Sequence, residues 1–157
     1  MEFNLADMLE SVVDAVPDRE ALYAEGRRLT FRQLDERANQ LAHHLAAQGI
    51  GHGDHVGCHM MNGTEYLETM LALFKIRAVP INVNFRYVEE ELLYLYNDAK
   101  LKAVVFDSEF AHLVAQVIDR VPTMTHLLTV GPTEGVALPQ GTQEYEPALA
   151  AQSTGRE

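Results

Sequence analysis

The sequence is sparing in the features that announce many functions. It has one cysteine, Cys58, so no disulfide can form within the chain. It has twelve Lys and Arg against twenty-three Asp and Glu, a net charge of -11 and a pI near 5.0. The basic residues are scattered singly or in pairs, leaving no field to gather phosphate backbones, which argues against nucleic acid and anionic membrane as partners. Its most apolar stretches, Met70 to Phe74 and Ala103 to Phe106, fall far short of the roughly 20 residues that cross a bilayer, so no transmembrane segment is expected. No charged-then-apolar leader follows Met1, and a soluble, cytoplasmic protein is the expectation. Nor does any glycine-rich turn follow a strand and open a helix, the arrangement whose backbone N–H groups hold nucleotide phosphates.

What is present is a globular composition: 157 residues, 47% of them apolar, enough for one compact domain. Asn4 is placed to cap a helix whose apolar residues Leu5, Met8, Leu9, Val12 and Val16 follow helical spacing until Pro17, so this stripe is expected to face the core. Ala21 to Ala24 and Arg28 to Thr30 flank Glu25-Gly26-Arg27 as a hairpin. Thr30 with Gln33 is a capping-box pair for a helix bearing Leu34, Ala38, Leu41, Ala42 and Leu45, and Gly49 stands where a left-handed cap ends it.

Strand and helix then alternate: strand Asp54 to Met60, a helix capped by Asn62 and Glu65, strand Val79 to Val83, helix Glu89 to Asp98, strand Lys102 to Phe106, helix Ser108 to Val121, strand His126 to Val130. This alternation predicts an α/β fold with a mostly parallel sheet of four or more strands and helices on both faces. Val79 to Val83 and Lys102 to Phe106 are expected among the central strands. The expected organisation is an α/β unit over residues 1–130 and, where Pro and Gly punctuate the chain, a connector over 131–157 with one helical turn at Pro147 to Ala151. Its close at Ser153-Thr154-Gly155-Arg156-Glu157 suggests a longer parent chain.

Each candidate for chemistry has a plainer alternative. His55 and His59 would share a strand face with Gly57, but Cys58 points the other way and no carboxylate stands at ligand spacing, so a metal site is not expected. His43 and His44 diverge by about 100° on a helix and read as a solvated pair. Cys58 reads as a small core residue, and Glu89-Glu90-Glu91 as acids favoured by a helix N-terminus. Gly49-Ile50-Gly51-His52-Gly53 follows a helix and precedes a strand, the wrong order for a phosphate loop. Ser153-Thr154-Gly155-Arg156 lacks both a lysine and a following helix. No nucleophile elbow or Cys–His context occurs.

Several short motifs nevertheless fall in a telling order: Leu29-Thr30-Phe31 with Leu34-Asp35 and Ala38-Asn39, Gly53-Asp54-His55-Val56, Asn62 with Glu65, Ala78-Val79-Pro80-Ile81-Asn82, Asn84-Phe85-Arg86, Glu91-Leu92 and Asp98. In that order and spacing the chain resembles the N-terminal portion of the adenylate-forming acyl-CoA synthetases, the superfamily that also holds firefly luciferase and the adenylation domains of nonribosomal peptide synthetases. Asn82 to Tyr87 looks closest to actinobacterial fatty-acid and steroid side-chain CoA ligases. One departure is Arg77, where the family usually has glycine; a left-handed conformation there would cost about 1 kcal/mol.

The resemblance implies an AMP-forming ligase. A carboxylate attacks the α-phosphate of ATP with magnesium, and coenzyme A then displaces AMP to form a thioester. The family's phosphate loop, adenine-binding motif, ribose-binding aspartate and adenylation lysine have no counterpart here. No catalytic, cofactor-binding or metal residue is therefore carried over, and ATP, magnesium, coenzyme A and the carboxylate belong to a complete enzyme only. The matching Asn62, Glu65, Asn82 and Arg86 read as caps and loop hydrogen bonds. The expected partner is the remainder of a synthetase or a second copy, with Tyr66, Phe85, Tyr87, Tyr94 and Tyr96 as candidate contacts. A stand-alone interaction module derived from such a ligase, and an unrelated nucleotide-binding α/β protein, are the competing readings.

Overall fold

The computed structural model describes residues 4–156. The elements run α1 (Leu5–Ala15), β1 (Glu20–Ala24), β2 (Arg27–Thr30), α2 (Phe31–Ala47), β3 (His55–His59), α3 (Thr64–Lys75), β4 (Val79–Asn82), α4 (Glu89–Asp98), β5 (Ala103–Asp107), α5 (Ala111–Val117), β6 (His126–Val130), β7 (Gln143–Glu144) and α6 (Tyr145–Ala150). The helix expected over Ser108 to Val121 is α-helical only in α5, with a single 3₁₀ turn on either side.

Five strands form one sheet in the order β4-β3-β5-β6-β7, and every pairing in it is parallel. Alternation along the strands sorts the core into two layers. Val56, Cys58, Ala103, Val105, Leu128 and Val130 pack under α2, α3 and α6. Val104, Phe106 and Leu127 pack under α4 and α5. Both faces are covered, as a parallel sheet requires. β5 is central as expected, whereas β4 lies at an edge. Pro80 explains why it can: a residue without an N–H fits an edge strand and would break the ladder of a central one.

β1 and β2 form a separate antiparallel hairpin. Glu25 and Gly26 both have positive φ, 50° and 80°, the backbone that a two-residue type I′ loop demands. α2 opens with the expected capping box: Gln33 N–H donates to Thr30 Oγ1 at 3.2 Å, and Thr30 N–H to Gln33 Oε1 at 2.9 Å. At α3 the expectation fails, because Gly63 is the N-cap and neither Asn62 nor Glu65 caps the helix through its side chain.

Three helices end in the same way. Gly49, Arg77 and Lys100 take left-handed φ of 79°, 57° and 50°. Behind each, the next residue's N–H reaches back to an orphan carbonyl: Ile50 to Leu45, Ala78 to Leu73, Leu101 to Tyr96, at 2.9–3.0 Å. These are Schellman stops, and Ile50, Ala78 and Leu101 are all buried, which anchors each stop hydrophobically. Glycine meets this demand without strain at position 49; Arg77 does not. Arg77→Gly is expected to raise the unfolding free energy by roughly 0.5–1 kcal/mol, measured by urea denaturation, and a decrease would contradict the assignment of strain.

The stretch read as a connector is integrated into the fold. β7 extends the sheet beside β6, and Tyr145 and Leu149 of α6 are buried. The last described residues lie across α2: Asn39 Nδ2 donates to Thr154 O at 2.8 Å, and the His43 ring nitrogen meets Gly155 O at 2.8 Å.

Candidate functional site

The carboxyl ends of β3, β5, β6 and β7 open onto a cleft of about 420 Å³, the location at which open parallel sheets usually bind ligands. The loop from β3 to α3 contributes Met61, Asn62 and Glu65, the hairpin turn Glu25 and Arg27, β5 Asp107, and the β7–α6 junction Glu144, Tyr145 and Glu146. Glu65 accepts from Arg27 at 2.5 Å. Burial opposes the Glu65 charge, yet its own backbone N–H and Arg27 hold it below the ordinary carboxylate range. Asp107 behaves oppositely. It accepts the Met61 N–H at 2.6 Å, but burial, with Glu109, Glu65 and Glu25 nearby, pushes its carboxyl above the ordinary range.

This chemistry does not suit a triphosphate. Its lining carries five carboxylates, Glu25, Glu65, Asp107, Glu144 and Glu146, against one guanidinium, Arg27, which is already paired with Glu65; Glu146 is paired with Arg37. No group of three or more potential metal ligands occurs among the described residues.

The residues singled out from the sequence are dispersed. Asn62 and Glu65 meet in the cleft, but Asn82 lies at the end of the edge strand, accepting from Tyr66 Oη at 3.0 Å. Arg86 stacks over Phe85, 5.4 Å from the ring centroid. His55 Nδ1–H donates to Ala99 O, 2.6 Å away, and His59 stacks on Phe110 with its Nδ1 3.3 Å from Tyr96 Oη. Cys58 is fully buried on the opposite face, its thiol pushed up to about 12 by burial. Glu89 pairs with Arg120, and Glu91 accepts the Val88 N–H at 2.8 Å. Of the candidate contact aromatics, Tyr94 is 70% exposed, while Tyr96 is fully buried and is no surface residue.

His43 and His44 are not a solvated pair. His44 is buried, and its Nε2 lies 3.0 Å from Nε2 of His126 on β6, so in the neutral pair one ring donates and the other accepts. Two further networks have no local sequence signal. Fully buried Glu68 accepts from Arg37 Nε at 2.7 Å and from Tyr145 Oη at 2.8 Å, while Arg37 forks onto Glu146. Lys75 pairs with Glu10 and Asp35, and Arg156 with Asp35 and Asp14.

Among known proteins the chain is similar to a 3-oxocholest-4-en-26-oate–CoA ligase of Rhodococcus rhodochrous, 42% identical over the whole chain but over 28% of that protein. A medium/long-chain-fatty-acid–CoA/3-oxocholest-4-en-26-oate–CoA ligase of Mycobacterium marinum is 46% identical over 81% of the chain and 23% of its own length. The chain thus spans about a quarter of the length of these curated relatives. Among solved structures, the anthranilate CoA ligase AuaEII in complex with anthranoyl-AMP superposes with a TM-score of 0.91 at 23% identity, over 99% of this chain and 29% of that one. A long-chain-fatty-acid CoA ligase structure from Rhodopseudomonas palustris gives 0.85 at 26% identity, over 94% and 36%. The same α/β sheet, relatives that are CoA ligases, and a match of residues 9–154 to the AMP-binding enzyme family converge on one conclusion: this chain belongs to the AMP-binding enzyme family.

Proposed function

We propose that the chain is the N-terminal part of a cytoplasmic, ATP-dependent acid–CoA ligase acting on fatty acids or steroid side-chain carboxylates, and that its 157 residues alone do not perform the reaction. The observation that carries this reading is identity above 40% to ligases named for those substrates, sustained over most or all of the chain. In this reading ATP, magnesium and coenzyme A are bound by the complete enzyme, and the part in hand supplies scaffold. Its parallel sheet and capped helices fix the orientation of the loops at the strand ends. The acidic cleft there gives no support to phosphate binding, so no step of the reaction is assigned to it.

Titration calorimetry tests the second half of the proposal. The 157-residue chain with magnesium–ATP is expected to show no binding tighter than about 100 μM, roughly -5.5 kcal/mol. A tighter dissociation constant would overturn the claim that this part lacks the nucleotide site.

A further inference from the structure

The α1 stripe expected to face the core does not: Leu5, Met8 and Val12 are 57%, 52% and 40% exposed, and α1 buries Ala6 and Val13 instead. Nothing in the fold marks what covers it. A second apolar segment on the outside carries more information. Ala78-Val79-Pro80-Ile81-Asn82-Val83 holds no charge and three β-branched residues, Val79, Ile81 and Val83. An uncharged, strand-prone run of about six residues pairs readily with another chain when it lies at a sheet edge, unless a proline interrupts it. Here the run contains β4, an edge of the five-stranded sheet, and Val79 and Asn82 are exposed there. The opposite edge, β7, is only two residues long, Gln143 and Glu144, and carries a charge.

The hydrogen bonds show which backbone groups of β4 face outward. Val79 N–H donates to Asp54 O at 2.8 Å, and Val83 N–H to Cys58 O at 3.1 Å. Alternate residues of a parallel strand bond to the same neighbour, so residues 79, 81 and 83 turn their backbone groups toward β3, and residues 78, 80 and 82 turn theirs away. Of the three outward positions, Ala78 gives its N–H to Leu73 O at 2.9 Å, and Pro80 has no N–H to give. Asn82 alone offers a donor, since no acceptor meets its N–H among the described residues. A docking strand needs donors and acceptors in turn, and the missing donor falls at the middle of the three positions. We propose that Pro80 guards this edge: by removing the central N–H it keeps β4 from pairing with the β4 of a second copy. A second copy is the chain guarded against, because identical edges of equal length meet residue for residue across a two-fold axis. The outward position of Pro80 takes no part in the hydrogen bonds to β3, so the proline is not required for that pairing.

Pro80→Val and Pro80→Ala each place an N–H at the middle of the outer edge. In sedimentation velocity of the 157-residue chain between about 5 and 100 μM, both variants are expected to associate at least about ten-fold more tightly than the parent, valine the more strongly because it favours strands. Hydrogen exchange on the same samples should show protection over residues 78–83 that grows with concentration in the variants and not in the parent. Folded variants that associate no more than the parent would overturn the proposal. So would a parent whose residues 78–83 already become protected as concentration rises. Stronger association that leaves 78–83 unprotected counts against it too, because it assigns the contact to surface opened elsewhere when the constraint of proline on the unfolded chain is lost. Circular dichroism and urea unfolding of each variant complete the test: if neither folds, Pro80 has a structural role in place of the guarding one, and the proposal fails.

Discussion

Replacing Glu68 by alanine is expected to lower the unfolding free energy by about 3–5 kcal/mol. Glu68 is fully buried and accepts from two donors, Arg37 Nε and Tyr145 Oη. Burial, reinforced by Glu68, raises the Tyr145 hydroxyl well above its ordinary range, so it stays a donor that needs an acceptor. Burial works against the Arg37 charge, but hydrogen bonds to Glu146 and Glu68 outweigh it and keep the guanidinium ionised. Removing Glu68 strands the buried hydroxyl and leaves Arg37 only Glu146, which is mostly exposed. Glu68→Gln keeps one acceptor and the side-chain volume, so a smaller loss of about 1–2 kcal/mol is expected. Urea denaturation at neutral pH decides the matter: an alanine variant within about 1 kcal/mol of the parent, or a glutamine variant as damaging as alanine, would contradict this account of the network.

The second large effect is a loss of stability in mild acid. Burial first, and then His44, hold His126 at about 4 against an ordinary 6.5, and burial alone holds His59 at about 4. The unfolded chain therefore takes up these protons at a higher pH than the folded one. Stability is complete above the ordinary histidine range and falls as pH drops toward 4, by about 3 kcal/mol for each of the two residues between about pH 7.5 and pH 4. The His44–His126 bond sharpens the effect at one site, because a second proton on the pair turns the accepting Nε2 into a donor facing a donor. His126→Gln, which carries no titrating group, should flatten much of the slope between about pH 6.5 and pH 5. A parent protein whose stability is level across that interval would rule out buried neutral histidines.

Local signals made much of the fold legible. The Thr30–Gln33 box and the Gly49 stop need only neighbours in sequence and formed as read; the hairpin formed where Glu25-Gly26-Arg27 marked its turn, but with a two-residue loop, Arg27 opening β2. Alternating periodicities were likewise enough for a parallel α/β sheet. What escaped depends on partners far along the chain. The rotation of α1 is set by Phe74, Lys75 and Arg156, and the burial of His44 by a residue 82 positions away. Strand order is equally non-local, although Pro80 was a usable clue that β4 lies at an edge. β7 is two exposed residues long, too short for any periodicity, so the final segment read as a connector. In the cleft, Asn62 and Glu65 stood out by resemblance. Arg27 and Asp107 look like ordinary turn and strand-end residues until the fold brings them together.

The claim on which the functional reading rests is that this sequence opens a carboxylate–CoA ligase. It is tested most directly by supplying the complete gene product with ATP, magnesium, coenzyme A and a panel of medium-chain, long-chain and steroid side-chain acids, and detecting the thioesters by mass spectrometry. The account predicts ATP-dependent acyl-CoA for at least one fatty or steroid acid, and none from the 157-residue chain. Thioester formation by the 157-residue chain, or a folded complete product that forms no thioester with any member of the panel, would contradict it.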